Sequence, residues 1–129
     1  MSEFEVETRR REEMIDISDR IREAVRAEGV SDGLCLVYTP HTTCGVAVNE
    51  GYDPDVAADA LQHLTRLVPR DGQWRHAEGN SDSHLKAILD GGDVTVPVHG
   101  GEPALGRWQA IFLCEFDGPR RRRVEVVVR

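Results

Sequence analysis

Apolar and polar positions fall along this chain in blocks whose periods predict its elements. Phe4, Val6 and Thr8 alternate with Glu5, Glu7 and Arg9, the two-residue period of a strand. Arg9 to Glu13 reads as a charged turn or a continuation of that strand. Ile17, Ile21 and Val25 recur every four residues with Ala24 beside them. They predict an amphipathic helix capped by Asp16 or Ser18 and closed by Gly29. After a turn at Ser31-Asp32-Gly33, Leu34 to Tyr38 is continuously apolar, as suits a buried strand. Thr39-Pro40 breaks it and leaves His41-Thr42-Thr43 at a strand end or tight connection. Val46 and Val48 resume the alternation up to Asn49-Glu50-Gly51.

Asp53-Pro54-Asp55 is a strong helix start, with a capping acid, proline in the first turn and a second acid facing the helix dipole. Val56, Ala57, Ala60, Leu61, Leu64, Leu67 and Val68 give this helix a stripe expected to be buried, and Pro69 stops it. A polar loop from Arg70 to Arg75 holds Trp74 as an aromatic anchor. A short helix from about Asp82 to Asp90 ends at Gly91-Gly92. Val94, Val96 and Val98 alternate as a strand, and Pro97 makes it an edge strand or a bulged one. A glycine-rich loop follows, then an apolar strand from Trp108 to Glu115, a hairpin connection at Asp117 to Arg120, and a closing strand with Val124, Val126 and Val128. The order predicts one α+β domain over residues 1–129, a mostly antiparallel sheet or sandwich with about three helices on one face.

Composition narrows the function classes. The net charge of −7 argues against a general nucleic-acid binder. Arg120 to Arg123 lacks interleaved aromatics and reads as a solvated strand start. Cys35, Cys44 and Cys114 form no CxxC pair, which fits free thiols in a reducing compartment. Met1 to Glu5 is acidic with no apolar stretch, and no run approaches the ~18 residues needed to span a bilayer. A cytoplasmic protein with no membrane partner is expected.

The chemistry concentrates in His76-Ala77-Glu78-Gly79-Asn80-Ser81-Asp82-Ser83-His84, which has almost nothing to bury. It delivers polar groups onto a helix N-terminus, where free amides and the dipole favour an anion. Together with His41 it also supplies three imidazoles, the number an open catalytic metal site uses. The residues leave both readings standing beside a plainer one, in which the histidines hydrogen-bond loop backbone. Cys44, three residues after His41, invites a thiol nucleophile or a small core residue.

Six motifs now stand in order: Pro40-His41-Thr42-Thr43, Asn49-Glu50, Asp53-Pro54-Asp55, the His76–His84 loop, Gly106-Arg107-Trp108-Gln109, and Glu115 to Arg120. Together they resemble the YjbQ-type family of secondary thiamine-phosphate synthases, from about Phe4 to Val128. The resemblance implies a homotrimeric α+β sandwich with its site near subunit boundaries. It also implies a reaction joining hydroxymethylpyrimidine diphosphate to a thiazole phosphate with release of pyrophosphate. On that footing His41, His76 and His84 are expected to hold a divalent metal (Mg or Zn) or the diphosphate. Glu50 and Asp82 are expected to orient those histidines. Thr42, Thr43, Asn49, Gly79, Asn80, Ser81, Trp108, Gln109 and Arg120 are expected around a small phosphorylated metabolite, with Asp117 also matching the pattern. A non-catalytic binding module and a metal-assisted hydrolase are the alternatives. Cys44 stands where the family more often has alanine, which removes the need for a thiol nucleophile. Arg107 replaces a small residue before Trp-Gln and adds a cation.

Overall fold

Alternating strands with one apolar face need a second layer to bury it, and here the chain supplies two sheets. The computed structural model describes all residues, 1–129. One sheet has five strands in the order β1 (Ser2–Glu7), β8 (Arg121–Val128), β3 (Gly33–Tyr38), β5 (Asp93–His99) and β6 (Glu102–Pro103). The other has three, β2 (Glu13–Asp16), β7 (Gln109–Glu115) and β4 (Cys44–Glu50). Every pairing is antiparallel. With three helices beside them the class is α+β, as expected.

The main core lies between the sheets. Val37, Val96, Val124 and Val126 from the larger sheet meet Cys44, Val46, Ile111 and Leu113 from the smaller one. Helix α1 (Ser18–Glu28) joins this core through Ile17, Ile21 and Val25, the residues its period marked out. Asp16 Oδ1 accepts the Ser18 amide at its start, and Gly29 closes it at φ 68°, a left-handed conformation natural to glycine. Helices α2 (Pro54–Leu67) and α3 (Ser81–Asp90) lie instead outside the smaller sheet. There Ala87, with Leu61 and Leu64, packs on Ala110, Phe112, Cys114 and Phe116.

Three local expectations are corrected. Residues 117–120 do not make a hairpin, because β7 and β8 belong to different sheets and the segment crosses between them. The charged stretch after Arg9 leads into β2, a strand too short and too evenly half-buried to show a period. The α2 stripe is only partly buried: Leu61 and Leu64 pack on the smaller sheet, but no residue of the helix is fully enclosed, and Val56 and Leu67 stay exposed. Pro97 behaves as expected, facing Leu34 on one side while β6 reaches β5 only at Val98 and His99.

Two buried ion networks fix the elements that carry the polar loops. Arg122 of β8 donates through Nε to Glu115 Oε2 on β7 (2.6 Å) and through Nη2 to the Thr43 hydroxyl (2.8 Å). It therefore locks one sheet to the other and to the connection after His41. At the start of α3, Asp82 is fully enclosed and accepts two hydrogen bonds from Arg11 (3.2 and 3.1 Å) and one from Lys86 (3.2 Å). Lys86 is itself fully buried and donates to Glu12 (2.7 Å). Burial alone would raise the Asp82 carboxyl, but the Arg11 and Lys86 hydrogen bonds outweigh it and hold it below its ordinary 3.8.

Removing this carboxylate leaves Lys86 buried without one of its two partners. Asp82→Ala is therefore expected to cost about 3–5 kcal/mol in denaturant unfolding. Its folded value lies below the unfolded one, so its stabilisation is present above about pH 4 and drains away as pH falls further. A pH series should show wild type and Asp82→Ala converging in acid.

Candidate functional site

The site grows from two loops that the ion networks hold. His41-Thr42-Thr43 links β3 to β4 and so passes from one sheet to the other. Thr39 Oγ1 donates to the Arg123 carbonyl (3.0 Å), and the Arg123 amide donates to His41 Nε2 (2.9 Å). With Nε2 accepting, the proton of neutral His41 sits on Nδ1, making that nitrogen a donor. Burial and the nearby Arg122, Arg123 and Arg120 charges push the His41 value below its ordinary 6.5, so the ring is neutral near pH 7.

The second loop runs into α3. Gly79 turns it at φ 83°. Asn80 donates to Asp117 Oδ2 (2.8 Å), which also accepts from Arg120 Nη2 (3.0 Å), while Arg120 Nε holds the Asp117 carbonyl (2.8 Å). The Asn80 Oδ1 atom is buried without a partner. The Ser83 hydroxyl donates to the Phe116 carbonyl (2.6 Å), and Ser81 Oγ meets His76 Nδ1 (2.9 Å). The His76 and His84 rings stand edge to face, 5.5 Å between centroids.

His84 is the meeting point. It lines an open cavity of about 410 Å³ with His41, Thr42, Ile88, Gly91 and Gly92. It also lines a neighbouring one of about 300 Å³ with His76 and Ser81. The three imidazoles thus border two adjoining depressions with His84 between them. They do not form one cage: no group of three or more His, Cys, Asp or Glu side chains is placed to hold a metal ion. His41 also spends Nε2 on a backbone amide. As they stand in one chain, these residues do not fit a three-histidine metal centre.

Other expected residues sit elsewhere. Thr43 is buried on Arg122 and shapes the loop from behind. Asp82 orients no histidine, because both its oxygens are occupied by Arg11 and Lys86. Glu50 accepts the Tyr52 and Asp53 amides (2.6 and 3.2 Å) and so shapes the entry to α2. Asn49 accepts the Glu50 amide, and Gln109 accepts the Gly106 amide. Trp108 lies half-exposed, 5.0 Å from Tyr52, with the Arg107 guanidinium 4.7 Å from its ring. Glu50 pairs with Gln109 and Cys44 with Glu115, at opposite ends of β4. At strand rise that separation is about 20 Å, so Asn49, Glu50, Trp108 and Gln109 form a second group remote from the histidines. Cys44 is buried and its thiol is raised by burial, which suits packing and not nucleophilic attack.

Arg11, Glu12, Lys86 and Arg122 position the site without appearing among the expected residues. A signal existed for Arg122: it shares the parity of Val124, Val126 and Val128, all buried. Lys86 stands four residues after Asp82 on the expected helix, the spacing of an ion pair, whereas nothing marks Arg11, which lies far along the chain from Asp82.

Comparison with known proteins agrees with the fold. The family profile described as UPF0047 protein YjbQ-like matches residues 2–129. A UPF0047 protein of Methanocaldococcus jannaschii is 43% identical over 125 residues, covering 97% of this chain and 91% of that protein. The UPF0047 protein YugU of Bacillus subtilis is 41% identical, covering 92% and 91%. Among solved structures, an uncharacterized conserved YjbQ/UPF0047 protein from Clostridium acetobutylicum superposes with a TM-score of 0.98 at 42% identity over the whole of both chains. A conserved hypothetical protein from Thermus thermophilus gives 0.93 at 43% identity, again over both whole chains. The ordered motifs, the sandwich and these likenesses together place the chain in the UPF0047, YjbQ-like family.

Proposed function

We propose that the paired depressions around His84 bind the phosphate groups of a small phosphorylated metabolite, and that the reaction served is displacement of diphosphate, as in thiamine-phosphate synthesis. The observation behind this reading is the convergence of His41, His76 and His84 on two adjoining cavities along the side of α3 that carries His84. Neutral His41 offers an N–H, and Arg120 adds a guanidinium fixed by Asp117. Such a set stabilises negative charge without needing a strong base.

That matches the chemical demand. The carbon–oxygen bond to diphosphate breaks with both electrons leaving on oxygen, so charge accumulates on the leaving group. The thiazole nitrogen then gives its lone pair to the pyrimidinyl carbon, forming the carbon–nitrogen bond as pyrophosphate departs. Donors gathered at His84 would stabilise that leaving charge. A divalent ion enters this reading only as Mg²⁺ carried in by the diphosphate.

A homotrimer belongs to the same proposal. Ile88 (75% exposed), Leu67 (62%) and Leu89 (59%) leave apolar side chains of α2 and α3 open to water. Association would cover them and offer a neighbour's Glu50–Trp108 group a route to the histidines. We place the protein in the cytoplasm, with no nucleic-acid or membrane partner. No helix is long and apolar enough to cross a membrane.

Two measurements test the reading. Purified protein should form thiamine phosphate from the two precursors, and His84→Ala should lower the rate by at least about 100-fold, the scale of one lost charge-stabilising donor. Tight pyrophosphate binding with no turnover would instead assign a binding module, and release of phosphate from simple esters a hydrolase. Separately, sedimentation should give three times the chain mass, and Ile88→Asp with Leu67→Asp should shift the protein to monomer.

A further inference from the structure

The C-terminal end of α3 holds a carboxyl group that the proposed reaction does not use. Asp90 Oδ2 is buried and has no hydrogen-bond partner. It is pressed against β4 where that strand has no side chain: a Cβ added at Gly45 would collide with Asp90 Oδ2 and lie 2.6 Å from the Gly91 carbonyl oxygen. Two acceptor oxygens therefore crowd the same space, and the Gly91 oxygen already receives the Val46 amide (3.0 Å). A carboxylate there adds charge beside an acceptor. A neutral carboxyl brings a hydrogen that the crowded oxygens lack.

The surroundings are mostly apolar, which favours the neutral form. The α2 face contributes Ala60, Leu61 and Leu64, and β2 contributes Met14. The only titratable groups facing Asp90 are the thiols of Cys114 on β7 and Cys44 on β4. No cation faces it. Burial pushes the Asp90 carboxyl up to about 7.

Position gives this group a consequence. Asp90 directly precedes Gly91 and Gly92, which line the His41–His84 cavity. That wall is tied by the Val46 amide to Gly91 O and by the Thr39 amide to Gly92 O (2.9 Å). Gly91 bends at φ 103°, with no Cβ to limit rotation.

We propose that Asp90 is a positioning residue for this cavity, uncharged while the Gly91–Gly92 wall is closed, and that its ionisation displaces the wall and weakens phosphate binding. The proposal rests on the phosphate reading of the cavity. Its sign is fixed by linkage. A folded value above the ordinary 3.8 means stability is greatest below about pH 4, erodes as pH rises towards 7, and levels off beyond.

The test is inorganic pyrophosphate binding by calorimetry from pH 5.5 to 8.5, on the full chain and on Asp90→Asn, with amide hydrogen exchange at Gly91 and Gly92 in the same samples. Pyrophosphate and His41 titrate identically in both proteins, so the difference isolates Asp90. Wild-type affinity is expected to fall at least about fivefold further than the variant's between pH 6 and 8, with exchange protection lost in wild type alone. Equal pH profiles in the two proteins overturn the switch. If neither protein binds pyrophosphate at any pH, the phosphate reading fails, and exchange alone then judges the wall: unequal protection above pH 7 upholds its movement, equal protection refutes it. Asp90→Leu, matched to the apolar lining, serves the same comparison if the asparagine variant does not fold.

Discussion

A guanidinium buried between two sheets is the constraint on which the rest depends. Arg122 leaves β8 pointing inward, where hydrophobic alternation would place a valine, and meets Glu115 on the facing strand. Water is excluded from both side chains, so the charges are useful only as a pair. The Nη2 atom that donates to Glu115 Oε1 also reaches Thr43 and fixes the backbone just after His41. The desolvation this requires would be hard to justify for stability alone, since apolar residues could fill the same volume. It is intelligible as a device for holding one loop in register with two independent sheets.

The second network does the same at the other side of the cavity. Asp82, Lys86, Arg11 and Glu12 tie α3 to the segment between β1 and β2. The helix makes only a small apolar contact through Ala87, so its direction is set mainly by these charges. His84 lies two residues after Asp82 and inherits that direction. The histidines themselves are free of structural duty except for His41 Nε2 and His76 Nδ1. Rigid ion pairs behind and exposed imidazoles in front make an arrangement in which binding groups need little reordering when a ligand arrives.

Much of this was legible in the residues, and the failures have physical causes. Period-two alternation marked β1, β5 and β8, and capping chemistry marked α2, because those signals are local. The assignment of β7 and β8 to a hairpin failed because Asp117-Gly118-Pro119 is as good a turn between sheets as within one. The α2 stripe was correctly read as apolar, yet amphipathicity says which face wants cover and not what covers it. At the candidate site polarity singles out the His76–His84 loop, but only the fold brings His41 beside it. The separation of Glu50 and Trp108 from the histidines was not legible, since it depends on which end of β4 each occupies. Asp82 was misread because a carboxylate in a polar loop looks exposed until Arg11 and Lys86, distant in sequence or on the hidden side of the helix, are brought against it.

The arginine run shows how four successive cations can stand in an acidic chain without forming a basic surface. Arg121 and Arg123 point outward and meet Glu5, Glu7 and Glu3 across the β1–β8 ladder. Arg122 points inward and is consumed by Glu115. Arg120 is held beside Asp117, at the mouth of the loops. Each charge of the run is thus paired by the strand geometry, and no continuous basic surface forms. What remains is short-range: the His41 donor and one tethered guanidinium. Because the chain's overall field repels anions, the proposed phosphate ligand would depend on those few contacts near His84.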